Sequence, residues 1–217
     1  MNGAILSATG VTDHDAFVKS VSESLAGANP GSESEETEAA APAYMGGETR
    51  IFTPGAPSTH FAIGFEGPAS SSALRNVMKY CLSLSSSGAA SGFTAPGLIG
   101  IYSSTKAASA STLLDSISEV LTSSLTDELV ERAKGLAKAE ALFALDAGSK
   151  SLASAMSASV LETGGFSASH TAATYDGITK AEVSAAMVAA LKSNPSVAAT
   201  GDIVDIPYQA AIANRFS

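Results

Sequence analysis

Thr59-His60-Phe61-Ala62-Ile63-Gly64-Phe65-Glu66-Gly67 decides the fold class of this 217-residue chain. Phe61, Ile63 and Phe65 point to one side, and His60, Ala62, Gly64 and Glu66 to the other. Alternation at period two, with aromatic and β-branched residues on one side, predicts a strand with one buried face. The other face carries small or polar groups, so a further strand or helix can approach it closely. Pro57 precedes the stretch and Gly67-Pro68 follows it, marking its ends. A strand so bounded is expected at the centre of a sheet.

The neighbouring segments extend the pattern. Glu48 to Phe52 predicts a strand, which Pro54-Gly55-Ala56-Pro57 turns into the central one as a hairpin. Leu98-Ile99-Gly100-Ile101-Tyr102-Ser103 and Ser196-Val197-Ala198-Ala199-Thr200-Gly201 predict two more, and Ala4-Ile5-Leu6-Ser7-Ala8 predicts a first strand ending at Thr9-Gly10. Ser85 to Gly97, rich in Ser, Gly and Ala, reads as a connection.

Helices fill the rest. Thr12 is expected to cap one, with Asp13 and Asp15 in its first turn and Phe17, Val18, Val21 and Leu25 on one face, stopped by Gly27. Ser70 to Ser83 carries the stripe Leu74, Val77, Met78, Cys81 and Leu82. Leu113, Leu114, Ile117, Val120 and Leu121 form another, and Thr126 opens a helix to about Leu145. Leu152, Met156 and Val160 lie on a further helix closed by Gly164-Gly165. Thr179 and Glu182 form a capping box for a helix to about Lys192, with Ile178 stapling onto Val183. Tyr208 to Asn214 predicts a last helical piece. Pure strand–helix–strand alternation is absent, so the expected class is α+β: a mixed, mainly antiparallel sheet with helices packed mostly on one face.

Composition bounds the function. The formal net charge of -9 argues against a nucleic-acid partner, which needs a basic face to displace counterions, and against independent binding to an anionic membrane. The single cysteine, Cys81, excludes an internal disulfide and a thiolate-rich zinc site, and its place in a helical stripe reads as a small buried hydrophobe. No apolar run approaches the ~20 residues of a membrane helix, so no direct transmembrane segment is expected. No secretory signal is visible at the N-terminus. Asn29 to Pro42 is an acidic low-complexity insert in which Glu33, Glu35, Glu36 and Glu38 sit among small and polar residues. It reads as a solvated loop or as an acidic contact for a basic partner.

Catalytic patterns are missing. His14, His60 and His170 form neither H-E-x-x-H nor H-x-x-E-H, and no G-x-S-x-G or phosphate-cradling glycine pattern occurs. Asp13/Asp15 and Asp202/Asp205 fit capping and turns. The expectation is a non-enzyme with no catalytic, cofactor-binding or metal residue and no cofactor.

Five segments, in order, resemble one family. Tyr44-Met45-Gly46-Gly47-Glu48-Thr49-Arg50, Thr59 to Gly67, Gly97 to Tyr102, Leu129-Val130-Glu131-Arg132-Ala133-Lys134 and Pro195 to Asp202 are similar to the C-terminal domain of the mitochondrial processing peptidase α-subunit. They also resemble the related core protein 2 of ubiquinol–cytochrome c reductase, respiratory complex III. The resemblance implies that residues 1–217 form a single peptidase-like C-terminal domain, that Gly3 to Val11 is its first strand, and that the family's first domain is absent. It implies a non-catalytic structural core subunit on the matrix side of the mitochondrial inner membrane. Its partners would be a separate chain carrying the missing N-terminal half, a core protein 1 or processing-peptidase β-like subunit, and other complex III subunits. An α-like subunit of the processing peptidase that assists presequence binding, or a scaffold of another mitochondrial assembly, are the alternatives. The family's glycine-rich substrate loop falls in the shortened Ser85–Gly97 interval, and no site residue is carried over from it. A lone half would expose apolar surface, so the chain expressed alone is expected to aggregate.

Overall fold

The computed structural model describes residues 5–26, 43–68, 71–86, 88, 90–106 and 110–216. They fall into two compact units, residues 1–43 with 140–172 and residues 44–139 with 173–217. The acidic insert at 29–42 lies outside the described residues.

The second unit holds a five-stranded sheet. Its strands are β1 (Gly47–Phe52), β2 (Ser58–Glu66), β3 (Ala90–Ala95), β4 (Leu98–Lys106) and β5 (Ser196–Gly201), in the order β1-β5-β2-β4-β3. All pairings are antiparallel except β1 with β5. β2 is central, as its alternation requires, and Phe61, Ile63 and Phe65 are fully buried. Each such side chain contributes about 1.5–3 kcal/mol on leaving water.

The buried face of the sheet meets three helices: α2 (Ser72–Ser85) lies against β3 and β4, α3 (Ala110–Thr122) against β4, and α7 (Lys180–Leu191) against β2. Val77, Met78, Cys81 and Leu82 of α2, Leu114, Ile117 and Leu121 of α3, and Val183 and Met187 of α7 are buried. These are helical stripes meeting an apolar strand face, the α+β arrangement expected from the sequence. Ser71 caps α2 by accepting from Leu74 N, and Thr179 with Glu182 forms the full capping box of α7. α8 (Gln209–Ala213) buries Ile212.

α4 (Asp127–Asp146) begins in this unit, with Thr126 Oγ1 accepting from Leu129 N. α6 (Ala168–Asp176) ends in it, and no sequence signal predicted that helix. The first unit contains α1 (His14–Leu25) and α5 (Ser149–Thr163), the latter closed by Gly164 in the left-handed region at φ 78°.

Four expectations are corrected. β1 and β2 do not form a hairpin: β5 inserts between them, pairing parallel with β1 and antiparallel with β2. Ser85 to Gly97 is not a plain connection, because Ala90–Ala95 is an edge strand on β4. Gly92 permits it: a Cβ there would collide with the carbonyl oxygen of Lys79 on α2, and Gly92 N donates to Ser83 Oγ at 2.8 Å. Ile5–Ala8 is not a strand of the sheet. Ser7 within it and Thr9 just after it instead bond α5 through their side chains. Asp13, not Thr12, caps α1, accepting from Ala16 N at 3.0 Å.

Candidate functional site on the open face of the sheet

The residues of the Tyr44–Arg50 motif turn inward to build the sheet. Tyr44 Oη bonds Gly64 O at 3.2 Å and Ser196 Oγ at 2.7 Å. Gly46 sits at φ 71°, and a Cβ on it would come within 2.9 Å of Asn194 O. Arg50 donates from Nη2 to the carbonyls of Ile203 (2.9 Å) and Ile206 (2.8 Å) and from Nη1 to Pro207 O (3.2 Å). It also pairs with Glu48 at 3.0 Å and lies 4.6 Å over the Tyr208 ring. One guanidinium thus fastens the loop after β5 to β1.

The opposite face of the sheet is shaped by small residues. Register places Gly47 beside Ser196 beside Gly64, and Thr49 beside Ala198 beside Ala62. Together they floor a groove of about 480 Å³, walled on one side by Leu98 and Phe93. Phe93 lies over Gly100, where a Cβ would come within 2.5 Å of its ring, and Leu98 lies over Gly64. Glu48 also borders the groove, its carboxylate paired with Arg50. Such a trough accepts the backbone or small side chains of another element.

His60 stands at one end of this face. Its Nδ1 is 2.7 Å from Tyr102 Oη, its Nε2 is 3.1 Å from Ser58 Oγ, and its ring stacks on that of Tyr102. A serine beside an imidazole is half of a nucleophile–base pair. Acyl transfer also needs N–H donors for an oxyanion, and β2 is laddered on both sides from His60 to Gly64, which commits its N–H groups. The contacts of His60 hold the Tyr102 ring against the sheet.

Other singled-out residues are dispersed. Cys81 is buried on the inward side of α2, and burial pushes its thiol up to about 12. His14 opens α1 in the other unit. His170 lies on α6, and its side chain is outside the described residues. Among the described residues, no three His, Cys, Asp or Glu side chains gather closely enough to hold a metal ion. No helix among them is long and apolar enough to cross a membrane. The groove was missed by sequence reasoning because its floor comes from three separated segments. Only the small-residue face of β2 signalled it.

Fold and groove together define an α+β protein with one helix-covered sheet face and one glycine-padded open face. No family model and no curated protein matches the chain. Among solved structures, it is similar to a chain of complex III2 from Candida albicans, with Inz-5 bound, at a TM-score of 0.65 and 18% identity. The likeness covers 80% of this chain and 50% of that one, so the chain spans half the length of that neighbour. What it shows is the fold.

Proposed function

We propose that the chain is a non-catalytic structural subunit of mitochondrial respiratory complex III, equivalent to the C-terminal half of a core protein 2. The observation that carries this reading is the shared fold with a complex III2 chain of which it spans half. Four of the five resembling segments support it, since they build the sheet: three are β2, β4 and β5, and the Tyr44–Arg50 motif secures β1 to its neighbours. Residues that assemble a scaffold, around an unreactive thiol, suit a structural role better than a catalytic one. The assembly stands on the matrix side of the inner membrane with a second core protein.

Native purification from mitochondria through a tag on this chain tests the proposal. Recovery with cytochrome b, cytochrome c1 and a second core protein is expected. Recovery only with a soluble zinc-bearing partner, and cleavage of a presequence peptide by that sample, would overturn it and make the chain an α-like subunit of a processing peptidase.

A further inference from the structure

Ile5–Gly10 is a chain segment outside any helix or strand, and among the described residues none of its backbone groups joins a ladder. Backbone N–H and C=O groups that join no ladder are a template for pairing with another strand. Its side chains divide by face. Ser7 Oγ donates to Ala153 O at 2.6 Å and lies 3.0 Å from Ser157 Oγ, and Thr9 Oγ1 donates to Ser149 O at 3.2 Å. Both therefore turn to α5. Leu6, between them, is 64% exposed.

The chain already contains a strand that enters a sheet from far along the sequence. β5 lies between β1 and β2 and ends in Ala199-Thr200-Gly201, with Gly201 at φ 105°. The segment near the start ends in Ala8-Thr9-Gly10, with Gly10 at φ 77°. Matching the two triplets puts Leu6 at the place of Val197 and Ala8 at that of Ala199, the two side chains that β5 buries. Ser7 and Thr9 take the places of Ala198 and Thr200, on the side that β5 leaves open. α5 covers that side here. The face of Leu6 and both backbone edges are what an inserted strand would need free.

We propose that Ile5–Thr9 is a strand donated to the sheet of a second polypeptide, inserted between two of its strands as β5 lies between β1 and β2. Leu6 and Ala8 then enter the partner's apolar core. The partner is a chain whose β-sheet lacks one internal strand. The inference rests on the reading above, in which the chain is one subunit of a complex III assembly.

Amide hydrogen exchange of Leu6–Gly10 tests it, measured in the assembly purified through a tag on the full chain and in the full chain alone at sub-micromolar concentration. Insertion is expected to slow exchange by about 100-fold or more, as in interior strands. Leu6→Asp, at an exposed position, is expected to leave the helix content of the chain unchanged and to remove the partner from the purified assembly. Val204→Asp, in an exposed loop of the other unit, is expected to retain it. Exchange in the assembly within about threefold of the chain alone overturns the inference, even when complex III subunits co-purify. Retention of the partner by Leu6→Asp overturns it as well. Strong protection in an assembly lacking cytochrome b and cytochrome c1 upholds the donated strand and removes the complex III reading.

Discussion

Arg50→Met isolates what one guanidinium does for the C-terminal part of the sheet. Arg50 spans three carbonyls of the loop at 203–207, so its loss leaves Ile203, Ile206 and Pro207 without those donors. Hydrogen bonds from a charged donor contribute about 1.5–3 kcal/mol each, and the side chain is 18% exposed, so water replaces part of the loss. About 1 kcal/mol per carbonyl then gives roughly 3 kcal/mol in all. Opposing detachment of the loop, Ile203, Ile206 and Ile212 stay buried, together contributing about 6 kcal/mol. Burial wins, so the variant folds with the loop seated and is simply weaker. Urea unfolding followed by far-ultraviolet circular dichroism, at sub-micromolar chain, reads this out. With a slope of about 2 kcal/mol per molar, the midpoint falls by about 1.5 M. Arg50→Lys falls between, because an ammonium does not bridge carbonyls on both arms of a fork. A midpoint for Arg50→Met within about 0.3 M of the parent would refute the reasoning.

Four further outcomes are expected. Gly92→Ala drives a methyl into Lys79 O and costs about 1–3 kcal/mol in urea unfolding, whereas Gly47→Ala, with open space at its Cβ, costs far less. Thr179→Ala removes the cap of α7 and costs about 1 kcal/mol. The backbone N–H of Thr179, and then its hydroxyl, hold the Glu182 carboxyl below the ordinary carboxylate range, so its stabilising effect is present above that range and is lost as pH falls through the lowered value. A pH series of unfolding midpoints on Glu182→Gln, flat where the parent declines, checks this. Cys81 resists iodoacetamide at pH 8 in the folded chain and reacts once unfolded. Because its thiol is raised from 9.0 to about 12, stability present below pH 9 declines as pH rises toward 12.

The legible parts of the fold were those whose cause is local. Phe61, Ile63 and Phe65 announce a strand by their own spacing, and Thr179 with Glu182 announces a helix start through bonds four residues wide. β3 was hidden because Ala90-Ser91-Gly92-Phe93 has little strand propensity, and its place depends on Lys79 passing over Gly92 and on Phe93 lying over Gly100. The supposed hairpin failed for the same reason. Pro54-Gly55 marks a reversal of the chain, but nothing local shows that β5 occupies the gap. Thr12 and Asp13 are both competent caps, and only the approach of Ala16 N chooses between them. The groove floor, drawn from β1, β5 and β2, becomes visible only once their register is known.

The insertion of β5 between β1 and β2 has a consequence for synthesis. More than 120 residues separate Phe52 and Glu66 from the strand that joins them, so β1 has no ladder partner until Ser196–Gly201 leaves the ribosome. The β2–β4–β3 ribbon can form early, with one raw edge facing solvent. A nascent chain therefore spends most of its elongation as a half-built sheet, the state most open to mispairing and to chaperone capture. A ribosome stalled a few residues short of Ser196 would hold that state indefinitely.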